Sequence, residues 1–144
     1  MKSAAKINDL QDPTAKMSKS AASNAGVIDI LDPSDVNVKK IKSAVTDAGK
    51  EVRFDEKEKP GISNLLTIHS SLSGMTISEL ENEFAGKGYG DFKAAVADVV
   101  TSYFAPVREK TNALLADEKS LLEILDAGSA KARLVASDTL AKTY

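Results

Sequence analysis

The sequence predicts a mainly α-helical chain, built as a small bundle of four or five helices. Apolar residues recur at helical spacing through most of the chain after residue 60, and residues that start or stop helices flank those stretches. The low aromatic content of 5% agrees, because sheet-rich proteins usually carry more aromatic side chains. We therefore expect helices to form the core.

The composition is that of one ordinary globular domain. With 144 residues, 42% of them hydrophobic and 28% charged, the chain is long enough to bury a core. A formal net charge of -2 creates no general attraction for nucleic acid, so such a contact needs a local basic patch. The chain has no cysteine and no apolar run that could span a bilayer. We expect a cytoplasmic protein that does not associate with membranes.

The first third of the chain predicts short elements. Residues 1–26 are polar, and "AAKINDL" within them predicts one short strand that ends at a proline turn. The alternating "VIDIL", residues 27–31, predicts a second short strand. Asp32 before Pro33 predicts a helix start, and the apolar spacing extends that helix to about Val45. A loop follows, with one short strand at "EVRF".

The remainder predicts further helices with clear ends. One apolar stripe stops at Gly74, where a C-terminal cap is favoured. Thr76 and Glu79 form a capping box that predicts the next helix start. After the glycine cluster "GKGYG", a long stripe over residues 92–114 contains Pro106, at which we expect a kink.

A final helix is predicted after Asp117, whose side chain is suited to cap it. The apolar positions of this helix recur at helical spacing and form one stripe. They are Leu121, Leu122, Leu125, Ala132, Val135 and Leu140.

Two features resemble functional motifs but favour structural roles. The single histidine, His69, excludes a metal cluster built on histidines and lies on an apolar stripe, so we interpret it as packed. The cluster "GKGYG", residues 86–90, resembles a phosphate loop, but such loops follow a strand and this one follows a capped helix. We interpret it as a corner between helices. We expect no metal site and no bound cofactor in this chain.

The strongest candidate site lies in "DPTAKMSKSAASNAG". Lys16 and Lys19 are three residues apart among small residues and hydroxyls, so both ammonium groups can turn toward one anion. Ser18, Ser20 and nearby amides add donors, and a triphosphate suits this set. From residue types alone, a solvated surface loop stays the simpler alternative. We refer to Lys16–Ser20 as the lysine loop.

The order of residues in the lysine loop, "KMSKS", resembles the nucleotide-loop signature of class I aminoacyl-tRNA synthetases without a mismatch. Further segments resemble, in the same order, the C-terminal part of bacterial tryptophanyl-tRNA synthetases. These segments are "DPTAKMSKS", "VKKIKSAVTD", "VRFD", "KPGISNLLTI", "SLSG", "FAGKGYGDFK" and "PVREK". The resemblance covers nearly the whole chain and favours the tryptophan enzymes over their tyrosine relatives.

The resemblance implies a site for ATP, which binds with Mg²⁺ as a substrate. In this family the loop closes over ATP, and its lysines stabilise the charge that develops on pyrophosphate. By motif match, Lys16 and Lys19 would be catalytic, Met17 would anchor the loop by packing, and the backbone of Ile7 would meet adenine. The ATP-binding residues implied in this way are Ile7, Lys16, Met17, Ser18, Lys19 and Ser20.

The resemblance also implies how the chain is divided. Residues 1–26 would be the end of a catalytic domain that carries the lysine loop, and residues 27–144 the helical domain that receives the tRNA anticodon. The family's Rossmann-like fold, with its histidine signature and tryptophan pocket, lies before the loop and is not in this sequence. We therefore expect a fragment of a tryptophan-tRNA ligase that is inactive alone, whereas the full-length enzyme is a homodimer that binds tryptophan.

For tRNA(Trp), the sequence offers only local basic residues that could meet phosphates. They are Lys39, Lys40, Lys42, Arg108, Lys110, Lys131 and Arg133. Each of these residues also fits a simpler interpretation, in which it is a solvated surface side chain with no role in tRNA binding. The alternative function is therefore a free-standing helical module that binds RNA or protein without catalysis.

Overall fold

The computed structural model describes residues 6–20 and 23–143, and within these ranges it is helical, with no β-strand. A short 3-10 turn, Asn24–Gly26, precedes the first helix. The α-helices are α1 Ser34–Lys42, α2 Pro60–Ser73, α3 Ile77–Glu83, α4 Tyr89–Ala116 and α5 Glu118–Ala141. The prediction of a mainly helical chain is confirmed.

The chain divides into two compact units, Met1–Pro106 and Val107–Tyr144. The first unit holds α1 to α3 and the start of α4, and the second holds the end of α4 and α5. The segment that carries the lysine loop belongs to the first unit together with these helices. Residue 26 is therefore not a boundary between compact units, and as a division of function it stays a prediction. The kink at Pro106, which lies inside α4, also stays a prediction.

Local signals end α2 and start α3 where the sequence predicts. Gly74 caps α2 in the left-handed region, with φ 79°, and donates its N–H to the Ser70 carbonyl at 3.0 Å. The Thr76 hydroxyl accepts the N–H of Glu79, whose carboxylate accepts the Thr76 N–H at 2.7 Å. Asp117 caps α5 by accepting the N–H of Ser120. Each cap satisfies backbone groups that the helix itself leaves unpaired.

The first helix is shorter than predicted. It begins at Ser34 after Pro33, which makes no side-chain cap, and it ends at Lys42 rather than near Val45. The Asp32 carboxylate instead accepts a hydrogen bond from Lys40 Nζ at 2.8 Å. The residue that we expected to cap the helix therefore forms an ion pair with its last turn.

The predicted short strands are not formed by the described residues. Ala4 and Ala5, at the start of "AAKINDL", lie outside the described ranges, and the rest of that segment makes one isolated bridge, between Asn8 and Lys16. In "VIDIL", the Val27 and Asp29 carbonyls accept side-chain donors from α1 instead of a neighbouring strand. A strand needs a repeating ladder of backbone partners, and these segments find single partners.

The core of the first unit is built by all of its helices. His69 of α2 is 5% exposed, and its ring stacks on Phe92 of α4 with centroids 6.3 Å apart, as expected for a packed histidine. Burial lowers the pKa of His69. The largest of the fully buried side chains among the described residues are Phe92, Leu10, Ile41, Ile62, Leu65, Leu66, Leu80, Val96 and Val100.

The "GKGYG" cluster is a corner between α3 and α4, as predicted, with Gly86 at φ 78°. Tyr89, at the start of α4, donates its hydroxyl to Asp47 at 2.8 Å, and Lys59 donates to Tyr89 Oη at 2.8 Å. Burial opposes the charge on Asp47, but hydrogen bonds from Tyr89, Gly49 and Lys59 lower its pKa. These contacts join the loop after α1 to the first turns of α2 and α4.

The apolar stripe of α5 is not buried in the structure. No described residue of that unit is buried, and Leu122, Leu125 and Val135 are 52%, 55% and 71% exposed. Helical spacing predicts that a helix forms, but burial also requires another element to cover the apolar face. Besides α5, the second unit contains only the end of α4.

Candidate nucleotide-binding loop

The start of the lysine loop is paired with an extended segment before it. The Met17 N–H donates to the Ile7 carbonyl at 3.0 Å. Next to this hydrogen bond, Asn8 and Lys16 lie opposite each other in an isolated antiparallel bridge. The backbone of the first two loop residues is therefore held in a defined register.

The turn that leads into the loop is closed by local hydrogen bonds. The Asp9 N–H donates to the Ala15 carbonyl at 3.0 Å. The Asp12 carboxylate accepts the N–H and the hydroxyl of Thr14, at 3.0 and 2.6 Å. The Thr14 side-chain bond, followed by its backbone bond, lowers the pKa of Asp12. Asp12 before Pro13 thus builds the turn that the sequence predicts.

The chain after the loop returns to the same segment. The Leu10 N–H donates to the Gly26 carbonyl at 2.9 Å. Asp9 Oδ1 accepts the N–H groups of Gln11 and Asp12, at 2.7 and 3.1 Å. A Cβ atom added at Gly26 would overlap the Asp9 carboxylate. A side chain at position 26 would therefore have to displace the Asp9 carboxylate from the N–H groups of Gln11 and Asp12.

The polar side chains of the loop face solvent. Lys16, Ser18, Lys19 and Ser20 are all exposed. Within the described ranges, neither lysine makes an ion pair or hydrogen bond, and the Ser18 and Ser20 hydroxyls are 3.0 Å apart. Two ammonium groups on a tethered backbone are thus available to an anion.

Met17 and Ile7 are half-buried and pack against the core. Together they line an apolar groove of about 220 Å³, completed mainly by residues of α2, α4 and the 28–30 segment. A second hollow, of about 320 Å³, is lined by Ile7, Met17, Lys19 and residues 27–30. Met17 thus contacts the core, and its role as an anchor for the loop stays a prediction. The second hollow brings Lys19 and Ile7 to one concave surface.

The basic residues of α1 differ in their exposure and in the partners that they contact. Lys39 pairs with Asp35 at 3.0 Å on an exposed surface. Lys40 is largely buried, and its ammonium group donates to Asp32 at 2.8 Å and to the Val27 carbonyl at 2.9 Å. Lys42 is exposed. A phosphate would therefore have to draw Lys40 away from two existing partners.

The other basic candidates lie in the second unit. Lys110 on α4 and Lys131 and Arg133 on α5 are exposed, and Arg108 is partly buried. The candidates for tRNA contact are thus distributed over both units.

Two further observations concern metal binding and membrane-spanning helices. The residues that the structure describes contain no group of three or more histidine, aspartate or glutamate side chains that could hold a metal ion. No helix in the same ranges is long and apolar enough to cross a membrane.

Sequence reasoning missed the side chain that holds the segment in front of the loop. Asn64 of α2 is 6% exposed and bonds both backbone groups of Asn8, accepting its N–H and donating to its carbonyl, each at 2.8 Å. The available signal was a polar pair, Ser63 and Asn64, inside an apolar stripe. A buried polar side chain is kept when it satisfies buried polar partners.

Sequence comparison places relatives along the whole chain. A family profile described as tRNA synthetases class I (W and Y) matches residues 4–105. The chain is 50% identical over 144 residues to tryptophan–tRNA ligase 2 of Streptomyces avermitilis, covering 100% of this chain and 43% of that protein. It is 50% identical over 141 residues to the tryptophan–tRNA ligase of Listeria monocytogenes, covering 98% and 42%. The chain thus spans less than half the length of these curated relatives.

Solved structures agree with the sequence relatives. A tryptophanyl-tRNA synthetase from Mycoplasma pneumoniae superposes with a TM-score of 0.80 at 35% identity, over 94% of this chain and 43% of that one. A tryptophanyl-tRNA synthetase from Campylobacter jejuni, complexed with ADP and tryptophan, superposes with a TM-score of 0.70 at 35% identity. That match covers 94% of this chain and 42% of the other.

Proposed function

Because the chain belongs to the class I tRNA synthetases of the W and Y family, we propose that it is part of a tryptophan–tRNA ligase. In this proposal residues 1–26 supply the ATP and pyrophosphate loop, and residues 27–144 supply the helical region that receives the tRNA anticodon. The observation that carries the proposal is the lysine loop, whose backbone is tethered while Lys16 and Lys19 lack partners among the described residues.

The proposed reaction is the activation of tryptophan by ATP, which enters with Mg²⁺ as substrate. A carboxylate oxygen of tryptophan attacks the α-phosphorus of ATP, and the bond from that phosphorus to the pyrophosphate oxygen breaks. Negative charge therefore grows on the leaving pyrophosphate. Lys16 and Lys19 stabilise that charge, and Ser18 and Ser20 supply further donors to the phosphates.

The hollow beside the loop supports this assignment. Ile7, whose backbone we propose to meet adenine, and Lys19, which we propose to bind phosphate, line it together with Met17. The Ile7 carbonyl accepts the N–H of Met17, which precedes Lys19 by two residues. This hydrogen bond links the residue proposed to meet adenine to the loop that carries the residue proposed to bind phosphate. Lysine suits the role because its ammonium group is a compact point charge on a flexible stem.

For tRNA(Trp), we propose that basic side chains on α1, α4 and α5 contact phosphates. Lys40 is the weakest candidate, because it would have to leave Asp32 and the Val27 carbonyl. The others are Lys39, Lys42, Arg108, Lys110, Lys131 and Arg133. Phosphate contacts of this kind contribute affinity and salt dependence rather than base specificity.

The rest of the enzyme lies outside the chain in this proposal. The tryptophan pocket and the remaining part of the ATP site come from the portion of the ligase that the relatives have in addition. The full-length enzyme is proposed to be a cytoplasmic homodimer. The 144-residue chain alone can stabilise only part of the transition state, so we expect it to be inactive.

The exposed apolar side chains of α5 favour a second candidate function. A helix with an uncovered apolar face is typical of a module that binds a partner. In that case the chain would be a free-standing helical module that binds RNA or protein, and the lysine loop would have no catalytic role.

Tryptophan-dependent exchange of pyrophosphate into ATP distinguishes the two functions. We expect exchange by a full-length protein that contains this chain, with tryptophan and not with tyrosine. The 144-residue chain should give no exchange above its own Lys19→Ala variant. Exchange by the chain alone, or a full-length protein that is inactive with tryptophan, would contradict the proposal.

A further inference from the structure

We propose that Asn64 of α2 is a positioning residue for the lysine loop, an inference that rests on the proposed function of that loop. Asn64 Nδ2 donates to the Asn8 carbonyl at 2.8 Å, and Asn64 Oδ1 accepts the Asn8 N–H at 2.8 Å. One side chain thus satisfies both backbone groups of Asn8. The two residues are 56 positions apart in the chain.

Asn8 in turn connects to both ends of the turn that precedes the loop. Its backbone faces Lys16, the first residue of the lysine loop, in the antiparallel bridge. Its side-chain Nδ2 donates to the Pro13 carbonyl at 2.7 Å. The adjacent Ile7 carbonyl accepts the N–H of Met17. A shift of Asn8 relative to α2 would therefore move the backbone of the loop.

An amide is the side chain that suits this contact. It offers one donor and one acceptor in the plane of a peptide group, so it pairs with a backbone as a neighbouring strand would. Asn64 lies between Ile62 and Leu65 of the core, and an apolar residue in its place would leave both Asn8 groups unpaired. Unpaired buried backbone groups are strongly disfavoured.

Asn64 acts on the loop through the backbone of Asn8. Its side chain is buried, whereas the Lys16 and Lys19 side chains are exposed. We therefore expect it to fix where the loop starts and to leave the lysine ammonium groups unrestrained. Its loss should reduce the rate of adenylate formation more than it weakens the binding of ATP, because misplaced charges stabilise the transition state less.

Amide hydrogen exchange in the 144-residue chain tests whether Asn64 holds the loop. The matched control is the neighbouring Ser63, 3% exposed, whose hydroxyl accepts the N–H of Asp55 at 2.8 Å. Asn64→Ala should speed exchange of the Asp9 and Met17 amides roughly 10- to 100-fold, the loss expected for two hydrogen bonds.

Ser63→Ala should instead speed exchange of the Asp55 amide and leave the Asp9 and Met17 amides unchanged. If Asn64→Ala prevents folding, Asn64→Asp replaces it, since this variant has the same size and keeps the acceptor for the Asn8 N–H. It lacks the donor to the Asn8 carbonyl, so the same amides should exchange faster. Equal exchange of Met17 in the Asn64 and Ser63 variants would overturn the proposal.

The consequence for the reaction is tested in a full-length ligase that contains the chain. Asn64→Ala should lower kcat for adenylate formation roughly 10- to 100-fold while KM for ATP changes only a few-fold. Ser63→Ala, with a similar loss of thermal stability, should keep the wild-type rate. Equal rates in these two variants would overturn the positioning role. If Lys19→Ala leaves the rate unchanged, the proposed function fails instead, and the exchange experiment still decides whether Asn64 holds the loop.

Discussion

The two compact units of this chain use the same kind of helix in different ways. In the first unit, apolar stripes of α2 and α4 meet around Phe92 and Leu66, which are 0% exposed. In the second unit, α5 carries a comparable stripe, yet Val135 on that stripe is 71% exposed. Both stripes repeat at helical spacing, so the pattern that predicts a helix does not by itself predict burial.

The difference shows what holds the lysine loop. The loop belongs to the unit with the packed core, and Met17 and Leu10 tie it to that core by side-chain contacts. The backbone is held at the first two loop residues, Lys16 and Met17, while the side chains of Lys16 and Lys19 stay exposed.

The largest effect expected from the comparison is on stability. Phe92→Ala should lower the free energy of unfolding by about 3–5 kcal/mol, because it removes a fully buried ring and leaves a cavity. Leu125→Ala, on the exposed apolar stripe of α5, should change it by less than about 0.5 kcal/mol. Denaturant unfolding of both variants measures the difference. Similar losses in the two variants would mean that α5 is packed as tightly as the first unit.

A smaller effect, of opposite sign in the two units, is expected from replacing glycine by alanine. Gly26→Ala should destabilise the chain by about 1–3 kcal/mol, because the new Cβ meets the Asp9 carboxylate where the loop closes. Gly128→Ala on α5 meets no atom within 4 Å and should raise the helicity of α5, by up to about 1 kcal/mol from helix propensity. Circular dichroism with denaturant titration measures both. A neutral Gly26→Ala would show that the loop ends are not tightly packed.

The smallest effect is a dependence of stability on pH between pH 7 and pH 5, which comes from His69 in the first unit. Burial lowers the pKa of His69 in the folded chain, while the unfolded chain binds the proton near the ordinary value of about 6.5. As the pH falls below that value, the unfolded state takes up the proton first, so the free energy of unfolding falls and then levels off below the folded pKa.

Thermal unfolding between pH 7 and pH 5 measures this loss, with His69→Phe as the control. His69 is the only histidine in the chain, so the variant should show a flatter profile in this range. A wild-type stability that rises as the pH falls from 7 to 5 would contradict the assignment.

Much of the fold was predictable because its signals are local. The caps at Gly74, Thr76 and Asp117 each involve residues only a few positions apart, and the spacing of apolar residues is a property of one helix. The lysine loop was recognised in the same way, from the order of five neighbouring residues. Such signals can be identified in the sequence without knowledge of tertiary contacts.

The missed features all depend on contacts between distant residues. Nothing near Asn64 in the sequence reveals that it pairs with Asn8, and nothing near Gly26 reveals the Asp9 carboxylate against it. The expected strand at residues 27–31 failed for the same reason, because α1 side chains supply its hydrogen-bond partners. The exposure of the α5 stripe could not be predicted either, since the spacing of apolar residues does not show whether another element covers them.

We propose that the lysine loop stabilises the transition state of adenylate formation. Single-turnover kinetics of a full-length ligase that contains the chain test this role most directly. Lys19→Ala should slow adenylate formation about 10²–10³-fold, equivalent to roughly 2.7–4 kcal/mol, while the Kd for ATP changes only a few-fold. Lys19→Arg should not restore the rate, because a planar guanidinium does not replace a compact charge. Lys50→Ala, another exposed lysine of the first unit, should keep the wild-type rate. A Lys19→Ala rate within a few-fold of wild type at saturating ATP would contradict the claim and leave Lys16–Ser20 as a solvated surface loop.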